Sequence, residues 1–160
     1  MTSLSRPLRI AIEGNIGSGK STFLSCLENF EGIYVVPEPL DQWMNLEGHN
    51  LLKNSFANPT RYSFQFQSYV QLTRLKVWNQ KEKESAKVKI VERSIHSNRH
   101  VYLEVARQSG NLTDEEYNVL CHQYETLSAS FDLDLDLIIY LQSDPIRSFE
   151  RMVTRGRYVL

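Results

Sequence analysis

Apolar positions over the first forty residues resolve into a strand, a helix and a second strand. Leu8-Arg9-Ile10-Ala11-Ile12-Glu13 is apolar and β-branched enough for a buried strand, and residues 22–27 continue at helical spacing. Gly32-Ile33-Tyr34-Val35-Val36 reads as the second strand, stopped by Pro37-Glu38-Pro39. Residues 41–58 read as a loop plus a short helix whose large apolar pieces are Trp43 and Phe56. Asn58-Pro59-Thr60 then has the form of a helix start, with Asn58 as cap and Pro59 in the first turn. The pattern predicts a long helix from Thr60 to about Glu84, with apolar faces from Tyr62, Phe66, Tyr69, Val70, Leu72, Leu75 and Val77.

A charged connection over residues 81–87 leads to a third strand, Val88-Lys89-Ile90-Val91, with Glu92-Arg93-Ser94 at its carboxyl end. Residues 95–108 read as one helix ending at Gly110, and Thr113-Asp114-Glu115-Glu116 opens another by a capping-type start. Strict alternation from Asp132 to Leu137 enters a fourth strand, Ile138-Ile139-Tyr140-Leu141. Carboxylates solvated at a strand entrance explain Asp132, Asp134 and Asp136 better than a metal site does. Asp144 caps and Pro145 begins a last helix that carries Arg147, Arg151, Arg155 and Arg157. Strands alternating with helices predict an α/β layer structure with a parallel sheet and right-handed crossovers.

A chain of 160 residues fits a single domain, 1–160, large enough to bury its apolar surface without staples. Eighteen basic against nineteen acidic residues leave a net charge of −1, so no broad field implies a nucleic-acid polymer or a membrane surface as partner. No apolar run reaches bilayer-spanning length, and residues 1–7 are too short for a targeting segment. The expectation is therefore cytoplasmic, with a mitochondrial form left open. Cys26 and Cys121 lack metal-ligand spacing and read as ordinary buried thiols in a reduced compartment. His96, His100 and His122 show no paired-ligand spacing and read as surface or packing residues.

The strongest chemical signal is Gly14 to Ser21, GNIGSGKS, which fits G-x-x-x-x-G-K-[ST] between a predicted strand and a predicted helix. In such a loop, glycines let successive N–H groups point at phosphate oxygens, the helix N-terminus adds its dipole, the lysine meets the β/γ-phosphates and the hydroxyl meets Mg²⁺. A plain Gly/Ser turn ending a strand is the competing reading. The prolines flanking Glu38 hold it in extended backbone beyond the carboxyl end of the second strand, the edge where open parallel sheets bind ligands. Glu92 and Arg93 stand at the end of the third strand, as ligand-facing groups or as a structural ion pair. Gln67, Val70 and Arg74 share one helical stripe, which suits a planar polar ligand, although a solvated flank is the commoner explanation.

Together the motifs resemble the deoxyribonucleoside kinase family, which includes deoxycytidine, deoxyguanosine and mitochondrial-type thymidine kinases. They are the segment from Glu13 to Ser21, Pro37-Glu38-Pro39 with Trp43, Phe66-Gln67-Ser68-Tyr69, Glu92-Arg93-Ser94, and Ile139-Tyr140-Leu141 followed by the arginine helix, in family order. The resemblance implies a P-loop NTPase-like three-layer fold and ATP- and Mg²⁺-dependent phosphorylation of a deoxynucleoside 5′-hydroxyl. Its small-molecule partners would be ATP and a deoxynucleoside, and a homodimer is left open. It implies that Glu38 is the general base. Gly14, Asn15, Ile16, Gly17, Ser18, Gly19, Lys20, Ser21 and Thr22 would hold the donor phosphates, and Ser21 and Glu92 the Mg²⁺ shell. Arg93 would hold the reacting oxygens beside Glu38, while Arg151, Arg155 and Arg157 would close over the transferring phosphate.

By the same resemblance Gln67 reads the base edge, Trp43, Phe66, Val70 and Tyr102 line base and sugar, and Phe56 replaces a tyrosine that bonds the sugar 3′-hydroxyl in several members. Arg74 matches an arginine of the deoxycytidine and deoxyguanosine kinases, but Asn98 stands where those kinases have an aspartate. Deoxycytidine, thymidine and purine deoxynucleosides all stay open. The family continues beyond the position of Arg157, so the resemblance also implies a shortened form without the last strand and C-terminal helices. A catalytically incompetent nucleotide- or nucleoside-binding fragment is the alternative from another class. A nucleotide-hydrolysing switch is a third, for which no guanine-reading or water-positioning motif is present.

Overall fold

In a computed structural model, which describes residues 6–82 and 85–156, four strands form one parallel sheet. They are β1 (Leu8–Glu13), β2 (Ile33–Val36), β3 (Val88–Glu92) and β4 (Leu137–Tyr140), in the spatial order β2-β3-β1-β4. β1 pairs with β3 from Leu8↔Val88 to Ile12↔Glu92 and with β4 from Ile10↔Leu137 to Glu13↔Tyr140. The parallel α/β class expected from the alternating pattern is therefore present. The chain leaves β1 toward β2 and leaves β3 toward β4, so the connections diverge at the adjacent central strands β1 and β3. In open α/β sheets the carboxyl ends of such a pair frame the ligand crevice.

The described residues group into two compact units. The first comprises the chain up to Glu38, Trp78–Ser94 and the chain from Asp134, and it holds the sheet, α1 (Lys20–Leu27) and the arginine helix. Its core joins Ile10 and Ile12 of β1, Ile90 of β3 and Leu24 of α1, with Leu27, Ile33, Val35, Val88, Ile139 and Leu141 packed around them. Leu8, Ile10 and Ile12 alternate along β1 and Val88 and Ile90 along β3 in this core, and Glu92 ends the second row beside Ser21.

The second unit comprises Pro39–Val77 and Ile95–Leu133. It contains α2 (Leu40–Met44), α3 (Leu51–Ala57), most of α4 (Pro59–Trp78), α5 (Ile95–Ser97), α6 (Leu103–Gln108) and α7 (Asp114–Ser130). Leu103, Ala106, Leu112, Tyr117, Leu120 and Cys121 form its core, with Phe64 against them. The capping start expected at Thr113 is complete: its hydroxyl accepts from Glu116 N–H at 3.2 Å while Thr113 N–H donates to Glu116 Oε2 at 2.9 Å. The last helix, α8 (Pro145–Arg155), begins as expected on Asp144, whose carboxylate accepts from Arg147 N–H at 3.0 Å.

Four expectations change. The long helix ends at Trp78 rather than near Glu84, which lies outside the described residues. Buried Lys89 of β3 draws its Nζ to the carbonyl oxygen of Trp78, to that of Gln80 at 3.3 Å and to Glu82 Oε1 at 2.9 Å, turning the chain there. The single helix over 95–108 is interrupted by a π turn, Asn98–Tyr102, in which Leu103 N–H reaches back five residues to Asn98 O. Asp136 is more than a solvated carboxylate, because it accepts from Arg6 at 2.6 and 3.0 Å and from Arg9 N–H at 2.7 Å. The Arg6 bonds and the Arg9 N–H hold its carboxyl down to about 2. Cys26 is exposed and Cys121 buried, so only the latter is the interior thiol expected.

Candidate functional site

The first unit gathers the glycine loop and the ends of β2 and β3 into one cluster. α1 starts at Lys20 on Gly19, which takes φ 98°, and a side chain built there meets nothing within 4 Å. That open, positively polarised helix start is a cradle for an anion, since the first-turn N–H groups have no intrahelical acceptor. Lys20 is 4 % exposed and curls its ammonium over the loop, donating to Gly14 O at 3.0 Å and Asn15 O at 2.6 Å. Burial, then the nearby Arg93 charge, pulls its pKa down to about 8, against the opposing pull of Glu38, Glu92 and Glu13. Ser21 Oγ lies 3.0 Å from Glu92 Oε1. A hydroxyl and a carboxylate side by side at the loop form a hard-oxygen pair, the kind that Mg²⁺ takes from a protein when phosphates and water complete its octahedron.

Glu38, just beyond β2, meets Arg93, just beyond β3. Arg93 Nη1 donates to both Glu38 carboxylate oxygens, at 2.9 and 3.1 Å, and Nη2 donates to Gly14 O at 3.2 Å. Both side chains are under a tenth exposed, so this is a desolvated pair and not a surface one. The sequence left Arg93 a choice between Glu92 and a ligand-facing role. In the structure it clasps Glu38 while Glu92 turns to Ser21.

Sequence reasoning assigned no role to Glu13, which the structure makes the anchor of this turn. Arg93 has φ 60°, a left-handed backbone that costs an L side chain about 1–2 kcal/mol. The next residue, Ser94, donates both its N–H (2.9 Å) and its hydroxyl (2.8 Å) to Glu13 Oε1. The β1/β3 register, Ile12↔Glu92, sets those two strand ends side by side and was the signal available. Glu13→Ala is expected to lower stability by about 2 kcal/mol, and Glu13→Gln, whose amide oxygen accepts the same two bonds, by less than about 1. Urea denaturation checks this, and equal losses in the two variants would count against the anchoring role.

α8 brings the arginine helix to the loop. Arg151 Nη1 reaches Gly17 O at 3.4 Å, and Arg155 lies exposed in the last turn. Arg157 lies outside the described residues. Gly17 takes φ 80°, and a side chain there would stand 2.2 Å from the Ser148 carbonyl oxygen, so only glycine permits the approach. Asn15 Oδ1 accepts from Ile16 N–H at 2.8 Å, and Ser18 N–H returns to Asn15 O at 3.2 Å, fixing the loop's turn. Thr22 is exposed in the first turn of α1.

The second unit holds the other predicted site residues. Val70 and Arg74 of α4 are buried and Gln67 half-buried, so the stripe is not a solvated flank. Trp43 of α2 donates Nε1–H to Thr73 Oγ1 at 2.8 Å, meets Phe66 edge-on at 5.7 Å, and carries the Arg74 guanidinium over its ring at 5.3 Å. Asn98, fully buried at the head of the π turn, donates from Nδ2 to Gln67 Oε1 at 2.6 Å. Tyr102 closes the same turn, and Phe56 is exposed on α3. Extended helical turns of this kind recur at functional sites because the extra residue redirects side chains.

The parallel four-stranded sheet with helices, and a glycine loop leading from β1 into α1, is an α/β fold of the P-loop kinase-like class. The deoxynucleoside kinase family matches residues 10–159, and the chain belongs to that family. It is 36% identical over 148 residues to the mitochondrial thymidine kinase 2 of Homo sapiens, covering 92% of this chain and 55% of that protein. It is 36% identical over 172 residues to deoxycytidine kinase 1 of Xenopus laevis (93% and 65%), and 34% identical over 150 residues to a probable deoxycytidine kinase of fowlpox virus (94% and 62%). The chain thus spans between half and two thirds of the length of these relatives. Among the described residues no helix is long and apolar enough to cross a membrane.

Proposed function

We propose that the chain acts as a single domain that transfers the γ-phosphoryl group of Mg-ATP to the 5′-hydroxyl of a deoxynucleoside. The observation that carries this is the Glu38–Arg93–Gly14 cluster beside the Lys20 loop, a buried carboxylate fixed by a bidentate arginine next to a phosphate cradle. When bound, Mg-ATP supplies the electrophilic phosphorus and the metal's neutralising charge. Glu38 takes the proton of the substrate hydroxyl through a carboxylate oxygen, for which the Arg93 grip fixes the approach. Lys20 exchanges its loop carbonyls for phosphate oxygens, the N–H groups of the first α1 turn receive the same phosphates, and Ser21 and Glu92 orient the metal. Arg151, with Arg155 and Arg157 farther along the chain, holds charge developing on the transferred group. Gln67 reads the base, with Trp43, Phe66, Val70, Arg74, Asn98 and Tyr102 forming its surroundings and Phe56 near the sugar.

Incubation of the chain with Mg-ATP and a panel of four deoxynucleosides should yield the 5′-monophosphates. Hydrolysis of ATP with no acceptor, or binding without product, would favour the switch or the incompetent fragment instead.

The lysine gives a separate pH signature. The native Lys20 pKa of about 8 lies below the ordinary lysine value of 10.5, so between these pH values the unfolded chain binds the extra proton and stability rises with pH. The cost of the buried cation, at most about 3 kcal/mol, is fully present below pH 8. Mg-ATP affinity should therefore weaken above about pH 8, by no more than about tenfold per unit, and Lys20→Met should remove that dependence. Calorimetric titrations from pH 6.5 to about 9.5 measure it.

A further inference from the structure

The π turn Asn98–Tyr102 carries an ion pair that only its own winding allows. Arg99 Nη1 donates to Glu104 Oε1 at 2.6 Å, across five positions. At α-helical spacing those positions stand about 140° apart around the axis, and an arginine meets residues three or four ahead instead. The wider turn, closed by Leu103 N–H on Asn98 O five residues back, brings positions 99 and 104 onto one side. The pair therefore reports the register: the same segment wound as an α-helix would not make it.

The other half of the arrangement comes from α7. The Tyr117 hydroxyl donates to the same Glu104 Oε1, and its ring, part of the core of the second unit, lies 5.5 Å from the Arg99 guanidinium and 4.5 Å from that of Arg107. Arg107 is tied in turn to Asp114 in the first turn of α7, Nε to Oδ1 at 3.1 Å. The Tyr117 bond, then the Arg99 bond, holds the Glu104 carboxyl below the usual carboxylate range, so it meets Arg99 as an anion. Arg99 and Glu104 are both partly exposed, and such a pair alone contributes little; the buried Tyr117 is what fixes the carboxylate in place.

We propose that Glu104, held by Tyr117 and gripping Arg99, is a positioning residue that keeps this turn in its π register and so sets the direction of Asn98 against that of Tyr102. The proposal rests on the kinase reading above, which places those two residues around the base. Asn98 begins the turn and Tyr102 ends it. One residue more or less in the winding swings one side chain against the other by about 100°.

The test uses the full chain. Glu104→Ala should fold and lose the register, since Arg99 is left without its acceptor. The direct readout is the scalar coupling across the backbone hydrogen bond in ¹³C,¹⁵N-labelled protein, from Leu103 N to Asn98 C′ in the parent and to Arg99 C′ in the variant. Steady-state kinetics should then give a deoxynucleoside kcat/KM lower by about tenfold to a hundredfold with the Mg-ATP KM within about twofold, a split that general destabilisation does not produce. Should Glu104→Ala fail to fold, deletion of the exposed Val101 removes the extra residue and leaves positions 99 and 104 to pair at i,i+4 spacing. That shortened chain should show the same kinetic loss with its ion pair intact. A Leu103–Asn98 coupling that survives Glu104→Ala, or an unchanged deoxynucleoside kcat/KM once the register is lost or the residue deleted, would overturn the positioning role and leave the kinase reading intact. A parent chain that phosphorylates no deoxynucleoside would overturn both.

Discussion

Glu38→Gln should reduce deoxynucleoside phosphorylation by about a hundredfold to ten-thousandfold while leaving Mg-ATP binding within about twofold. The glutamine is isosteric and its amide oxygen still accepts from Arg93, so the local structure is expected to persist. Only the ability to take a proton is removed. Steady-state kinetics together with ATP titration separate the two effects, and a variant retaining more than about a tenth of the parent rate would rule out Glu38 as the base. The prediction is sharp because Glu38 does not line the phosphate cradle by itself. It reaches the cluster through Arg93, which also holds Gly14 O.

Arg93→Ala should cost about 3–5 kcal/mol of stability, a large share of what a domain this size possesses. The reason is the burial of both partners: removing the guanidinium leaves the Glu38 charge desolvated without its bidentate donor. Adding Glu38→Gln to Arg93→Ala should recover part of the loss, since a neutral amide is easier to bury than a carboxylate. Chemical denaturation of the two single variants and the double variant measures the coupling. Additive losses would show that the two side chains do not depend on each other.

Local signals carried much of this architecture. The glycine loop with Lys20 and Ser21 announced its own strand and helix, and Thr113 with Glu116 announced α7, because the contacts involved lie within a few residues. The proline-flanked Glu38 and the Glu92-Arg93-Ser94 segment were readable as neighbours once parallel strands were inferred. What escaped notice depended on partners far along the chain. Glu13 is tied to Ser94 across 81 positions, and Asp136 to Arg6 across 130. Lys89 ends α4 from a strand that no helical pattern can foresee. The π turn at Asn98–Tyr102 inserts a residue without changing the apolar spacing enough to show in a periodic count. The stripe of Gln67, Val70 and Arg74 showed its geometry in the sequence but not its burial, which Trp43 and Phe66 help to provide.

The fit of bare Gly17 against the Ser148 carbonyl has a mechanical outcome. With no methyl group's worth of slack between them, a sub-ångström slide of α8 is transmitted straight into the backbone that would grip phosphate. Arg151 rides on the same rod, so the clamp and the grip travel as one piece, and a shock to either registers in both.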